Sequence, residues 1–247
     1  GSLPVLIAYC LAGNPNVGKS TVFNALTGMH QHTGNWAGKT VANTTGEYEY
    51  NQNIYEIVDL PGTYSIMSNS EEEEIARDYI CFEQNDCVVV VTDATCLERN
   101  LNLVEQILEI TNQVVVCVNL LDEAHKKGIE IDLDKLSFKL GVPVVGTIAR
   151  KKKTLKRLME TIYKVCLSSN DHNTNFILKY PNVIEDAINI VEKNVKPLIF
   201  NNNFNNSRWI TLKLLEGNKK IISSIQNYLN IDLLANTEIQ ISLSNAR

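Results

Sequence analysis

Eight residues, Gly13-Asn14-Pro15-Asn16-Val17-Gly18-Lys19-Ser20, constrain this chain more than any other stretch. They spell G-x-x-x-x-G-K-S between an apolar run, Val5 to Ala12, and a segment from Thr21 to Leu26 that can continue as a helix. Strand, loop and helix in that order is the context in which the pattern acquires meaning as a phosphate-binding P-loop. Its glycines let the backbone wrap closely around phosphate oxygens, and the positive end of the following helix adds to the attraction. Lys19 is placed to reach the β- and γ-phosphates, and the Ser20 hydroxyl to ligate magnesium. Gly13 through Thr21 are therefore candidate nucleotide-binding residues.

Further motifs follow in the order a nucleotide switch requires. Residues 28–45 are rich in Gly, His, Asn and Thr and poor in apolar periodicity, which predicts a long, functional loop. Thr40 within it is the candidate to close on magnesium and the γ-phosphate, though Thr33, Thr44 and Thr45 are also at hand. Glu47–Tyr50 and Ile54–Val58 alternate as strands around a turn at Asn51-Gln52-Asn53. The second runs into Asp59-Leu60-Pro61-Gly62, where Asp59 suits a water-mediated magnesium contact and the Gly62 N–H a γ-phosphate contact. Thr63 stands where many such enzymes carry a water-orienting glutamine and is too short for that role, so hydrolysis is expected to be slow.

Ser70 followed by Glu71 to Glu74 reads as a capped helix start. Cys87–Thr92 and Val114–Val118 are short all-apolar runs of the kind that form buried strands, separated by a helical pattern over Leu97–Ile110. The second run ends in Asn119-Leu120-Leu121-Asp122. An N-x-x-D at a strand's carboxyl end reads guanine, because a carboxylate accepts both the ring N1–H and the exocyclic amine, a pair adenine lacks. Leu120 replaces the lysine of the usual N-K-x-D. A short helix over Asp132–Leu140, stopped at Gly141, and a strand over Val142–Val145 lead to Thr147-Ile148-Ala149, placed to back the base. Lys151 to Lys153, Lys156 and Arg157 read as a solvated basic helix face, with a phospholipid or partner contact as the alternative.

Alternating strands and helices with the chemistry at strand carboxyl ends describe a doubly wound α/β domain of the Ras-like P-loop GTPase class. This nucleotide-binding domain is expected over residues 3–167, followed by a linker over 168–175, a small all-helical domain over 176–235 and a frayed tail over 236–247. A formal net charge of -5 argues against nucleic acid as the main partner. No apolar run approaches the roughly 20 residues of a membrane span, and the opening residues lack a signal-peptide pattern. The six cysteines show no C-x-x-C spacing, which disfavours a disulfide framework or zinc site and suits a reducing cytosol. His30 and His32 lie two apart without carboxylate or thiolate support, a poor metal site.

These motifs, with Gly34-Asn35-Trp36-Ala37-Gly38-Lys39-Thr40-Val41, Asp59-Leu60-Pro61-Gly62-Thr63-Tyr64-Ser65, Val91-Thr92-Asp93-Ala94, Glu98-Arg99-Asn100-Leu101 and Ser207 to Glu216, resemble the FeoB family of bacterial ferrous-iron transporters. The resemblance covers essentially the whole chain. It implies a cytosolic GTP-binding domain, a helical domain that stabilises bound GDP, and slow GTP hydrolysis that regulates or drives Fe(II) uptake at the cytoplasmic face of the inner membrane. It also implies Mg2+ held by Ser20, Thr40 and Asp59, and K+ activation with Asn16 coordinating the ion. Asn16, Lys19, Thr40 and Gly62 would then form the catalytic set. The implied partners are GTP and GDP, the transmembrane part of the same transporter, which this soluble stretch does not contain, and a second copy of the chain. Competing readings are an RNA- or ribosome-associated GTPase, a regulatory module that binds nucleotide without turning it over, and an ATPase, which Asp122 disfavours.

Overall fold

The computed structural model describes residues 3–28, 30–67, 70–167, 179–200 and 206–247. The expected linker over 168–175 and most of the asparagine-rich break before Ser207 lie outside them. The chain divides into two compact units, Gly1–Phe176 and Ile177–Arg247.

The first unit is built on seven strands in the order β2-β3-β4-β1-β5-β6-β7. β1 (Leu6–Gly13) runs parallel to β4 (Asn53–Asp59) on one side and to β5 (Cys87–Asp93) on the other. β6 (Val114–Asn119) and β7 (Val144–Gly146) continue the parallel array. β3 (Ala42–Tyr50) joins β4 antiparallel, and β2 (Gln31–Asn35) joins β3 antiparallel. The strand order reverses at β1, and ligands of open α/β sheets bind at such a crevice, beyond the strand carboxyl ends.

Why the central strands read as unbroken apolar runs is visible in their burial. Every residue from Cys87 to Val91 and from Val114 to Val118 is buried, so both sheet faces are covered. On one face, Tyr9, Leu11, Val89, Val91, Val115 and Cys117 form a core with Val22, Phe23 and Leu26 of α1 (Lys19–Thr27) and Leu155, Leu158 and Ile162 of α6 (Lys152–Leu167). On the other, α3 (Leu97–Ile110) lays Leu103, Val104 and Ile107 against β5 and β6. α2 (Glu71–Phe82) starts at Ser70, whose hydroxyl accepts from the Glu73 N–H. α4 (Leu121–Lys126) and α5 (Leu133–Leu140) connect β6 to β7, and Gly141 ends α5 as expected.

Two sequence expectations need correction. Residues 28–45 are not one long loop: β2 and the first part of β3 form a hairpin that extends the sheet, with a tip over 36–41. The strand Gln31-His32-Thr33-Gly34-Asn35 is largely exposed, so no apolar alternation marks it. Residues 236–247 are not frayed either. Asn236 caps α10 (Thr237–Ala246) by accepting from the Ile239 N–H at 3.1 Å, and Ile239 and Leu243 are buried.

In the second unit α10 and α8 (Ser207–Glu216) pack on α7 (Asn182–Ile199), and α9 (Lys219–Leu229) packs on α8. Trp209 is fully buried, as are Ile188, Val191, Val195, Ile210, Ile225 and Ile239, among the apolar side chains these four helices turn inward. A bidentate ion pair, Arg208 to Glu185 at 2.6 and 3.0 Å, joins α8 to α7.

Candidate functional site

β1 delivers the Gly13–Ser20 loop to the crevice, and α1 begins without a side-chain cap. Its first-turn N–H groups thus lack the usual carboxylate or hydroxyl partner, which makes this helix end an anion site. Two residues turn left-handed to shape the loop, Asn16 at φ 64° and Gly18 at φ 79°. Asparagine tolerates that conformation; at Gly18 there is also no room for more, since a Cβ would lie 2.5 Å from the Asn119 amide nitrogen.

Lys19 is nearly buried, and its ammonium donates to the Asp59 carboxylate and, at 2.6 Å, to the Leu60 carbonyl. Those two partners sit where β4 ends beside β1, and the Leu60 N–H in turn donates to Leu11 O at 3.0 Å. An ammonium carries three donors, so one remains for a phosphate oxygen. Gly62 abuts the loop so closely that a Cβ on it would lie 3.3 Å from Pro15 Cα. Thr63 is buried, and its N–H donates to Gly13 O at 3.0 Å. Its side chain is in any case too short to orient a water as a glutamine would.

The end of β6, which carries Asn119, is tied to the same loop. The Asn119 amide donates to Val17 O at 3.1 Å, and the Asn119 carbonyl accepts from the Thr147 hydroxyl at 3.0 Å. Thr147 is fully buried and lies 3.1 Å from the Cys117 sulfur. Burial pushes that thiol up to about 12, so it stays neutral beneath the site. Leu120, left-handed at φ 63°, turns the chain from β6 into α4 and packs over Gly18. Asp122 follows, mostly buried, and accepts from Arg150 at 2.8 Å. Desolvation pushes the Asp122 carboxyl up, but hydrogen bonds from the Glu123 N–H and Arg150 outweigh it and hold it below its ordinary value.

The structure thus gathers Lys19, Asp59, Gly62, Pro15, Val17, Gly18 and Asn119 at one crevice, with Asp122 two residues beyond Leu120. It places other candidates differently. Thr147 supports Asn119 from below. The Asn14 amide points to Arg99 O at 3.4 Å, tying the loop to α3. Asn16, Ser20 and Thr21 are exposed, as is Thr40 at the β2–β3 hairpin tip. No hydrogen bond among the described residues draws Thr40 to the Lys19–Asp59 pair. Ile148 is fixed through its backbone, which exchanges hydrogen bonds with the Thr154 hydroxyl, and Ala149 packs partly buried on the core.

Sequence reasoning missed two features. Trp36 of the hairpin tip meets Tyr79 of α2 edge-on at 5.7 Å, a long-range contact without local signal. Arg150, given no role by the sequence reading, partners Asp122. Among the described residues no three His, Cys, Asp or Glu group as a metal site, and no helix is long and apolar enough to cross a membrane.

The family model for ferrous iron transport protein B matches residues 7–162, and that for the FeoB cytosolic helical domain matches residues 180–245. The Fe(2+) transporter FeoB of Staphylococcus aureus (strain MSSA476) is 33% identical over 222 residues, 89% of this chain. The chain spans only 32% of that relative's length. Among solved structures, a GDP-bound point mutant of S. thermophilus NFeoB matches with a TM-score of 0.78 and 33% identity, over 97% of this chain and 89% of that one. The cytosolic domain of the T. maritima FeoB iron transporter in its GMPPNP form gives a TM-score of 0.76 and 34% identity, over 97% and 94%.

Proposed function

The chain belongs to the family of ferrous iron transport protein B, and on that premise we propose that it is a guanine-nucleotide switch that binds GTP and GDP with Mg2+ and hydrolyses GTP slowly. Its cycle regulates or drives Fe(II) passage through a membrane-spanning part of the same transporter, at the cytoplasmic face of the bacterial inner membrane. The helical unit, Ile177–Arg247, stabilises the GDP-bound form.

One observation carries the nucleotide reading. The P-loop, the end of β4 and the end of β6 are hydrogen-bonded together at the carboxyl ends of parallel strands, Lys19 to Asp59 and Asn119 to Val17. Phosphate reader and base reader are thereby held in fixed register. Kindred proteins support the ligand: the relatives above were solved with GDP and GMPPNP.

The Ser20 hydroxyl and Asp59 carboxylate are hard oxygen donors, a set that fits Mg2+. With the Thr40 hydroxyl they would hold the ion, which would neutralise charge on the β- and γ-oxygens. Lys19 would hold phosphate oxygens through its ammonium, and the Asp59 carboxylate, now paired with Lys19, would serve the metal. Gly62, already against Pro15, offers its N–H to the γ-phosphate. Thr63 is too short to orient water as a glutamine would, so turnover would be slow and lean on charge supplied elsewhere. Asn16, exposed in the loop, would hold a monovalent cation through its amide oxygen, and K+ there would supply positive charge beside the phosphates.

Competition against a fluorescent GDP analogue tests the binding step. GTP, GDP and GMPPNP are expected to displace it at concentrations roughly 100-fold or more below those of ATP and ADP. Equal displacement by adenine nucleotides would remove the guanine assignment.

A further inference from the structure

Arg150 has no assigned role, yet it supplies the side-chain hydrogen bond the structure gives to the Asp122 carboxylate, Nη1 to Oδ2 at 2.8 Å. Asp122 is mostly buried and Arg150 largely exposed, so the guanidinium reaches inward from the loop between β7 and α6. A carboxylate that reads guanine must present both oxygens in the plane of the base, one to N1–H and one to the 2-amino group. An aspartate's terminal torsion is broad and two-fold, and does not fix that plane by itself. A planar, permanently charged guanidinium hydrogen-bonded to one oxygen restrains it. Each carboxylate oxygen carries two lone pairs, so Oδ2 accepts Arg150 and a base amine together. No other side chain of the Thr147–Arg150 loop does this: Thr147 is spent on Asn119, and Ile148 and Ala149 are hydrocarbon.

We propose that Arg150 is a positioning residue for guanine specificity, holding the Asp122 carboxylate in the plane that accepts both the N1–H and the 2-amino group of the base. The proposal rests on the guanine-nucleotide reading above. Arg150 acts through Asp122 and needs no contact with the nucleotide.

Inosine diphosphate keeps N1–H and lacks the 2-amino group, so it separates alignment from general affinity. Dissociation constants for GDP and IDP are measured on the whole chain, with Arg150→Ala, Arg150→Lys and Asp122→Asn alongside and thermal midpoints confirming folding. Arg150→Ala is expected to weaken GDP by about three- to tenfold, the scale of one partly exposed charged pair, and IDP by less. The GDP-over-IDP ratio therefore contracts, and Arg150→Lys restores part of it by keeping a charged donor without the planar fork. An equal loss for both nucleotides means Arg150 serves the phosphates or stacks on the ring, and overturns the proposal. Tighter GDP binding in Arg150→Ala, as for a side chain that competes with the base, overturns it too. Asp122→Asn isolates the underlying reading: its amide donates to the 2-carbonyl of xanthine, so preference should move from GDP to XDP. An Asp122→Asn variant that still prefers GDP defeats the guanine reading itself, whatever Arg150 does.

Discussion

Asn119 and Val17 stand 102 residues apart in sequence and are joined by a buried hydrogen bond, the Asn119 amide donating to the Val17 carbonyl at 3.1 Å. The end of β6 and the P-loop are therefore one mechanical object. Asn119→Ala leaves the Val17 carbonyl and the Thr147 hydroxyl without their partner. A buried polar group left unpaired costs about 1–3 kcal/mol. Thermal or urea unfolding should show that loss, and GDP affinity should fall by roughly tenfold or more because the loop is no longer held. Thr147→Val, which removes only the outer support, should cost less in both measurements.

Lys19 and Asp59 lend themselves to a metal test, since the carboxylate proposed for Mg2+ now pairs with the P-loop lysine. Chelating Mg2+ with EDTA is expected to weaken GTP binding to the wild-type chain by roughly tenfold or more. Asp59→Asn should bind GTP with little dependence on Mg2+. A wild-type titration that ignores EDTA would contradict the assignment of Asp59 to the metal.

Thr63 yields a negative prediction. Its N–H is held by Gly13 O and its side chain is too short to orient water as a glutamine would, so the hydroxyl is expected to take no part in the chemistry. Thr63→Ala should keep single-turnover GTP hydrolysis within about threefold of wild type, less than about 1 kcal/mol of barrier. A drop of roughly a hundredfold would assign Thr63 to the chemistry.

Trp36 reports on the hairpin that carries Thr40. Its indole meets the Tyr79 ring at 5.7 Å, and its backbone N–H donates to Val41 O across the tip at 3.0 Å. Drawing Thr40 toward the metal must disturb that packing. Tryptophan fluorescence should change on adding GMPPNP with Mg2+ and much less with GDP, and Trp36→Phe should abolish the difference. Identical signals for both nucleotides would mean that the tip ignores the γ-phosphate.

Much of this was legible in the sequence, for physical reasons that differ by element. The valine runs of β5 and β6 announce themselves because both faces are covered. The P-loop and Asp59-Leu60-Pro61-Gly62 are legible because phosphate chemistry fixes residue type and spacing. β2 was not, since a solvated edge strand of Gln, His, Thr, Gly and Asn carries no alternation, and its anchor, Trp36 on Tyr79, is a long-range contact that no local window contains. α10 was masked by its polar composition, though Asn236 and the spacing of Ile239 and Leu243 hold its signal. Arg150 was invisible as a partner, because an ion pair spanning 28 residues has no spacing rule.

The helical unit has its own pH signature. Hydrogen bonding from Arg208, with a further bond from the Tyr180 N–H, holds the Glu185 carboxyl down at about 2, against an ordinary 4.5. A depressed carboxyl stabilises the fold fully above its unfolded value and loses that contribution as the pH falls. The thermal midpoint should therefore decline between about pH 4.5 and 2. Glu185→Gln should lower the midpoint at neutral pH and flatten that part of the acid limb.

The central claim is that the crevice built by Lys19, Asp59 and Asn119 turns over GTP slowly with help from a cation beside Asn16. Phosphate release under multiple turnover, from GTP and from ATP, in potassium and in sodium, tests it most directly. The account predicts slow release from GTP alone, faster in potassium, with the potassium advantage lost in Asn16→Ala. Tight GDP binding with no phosphate release in either salt would contradict it and leave a nucleotide-binding module that does not hydrolyse.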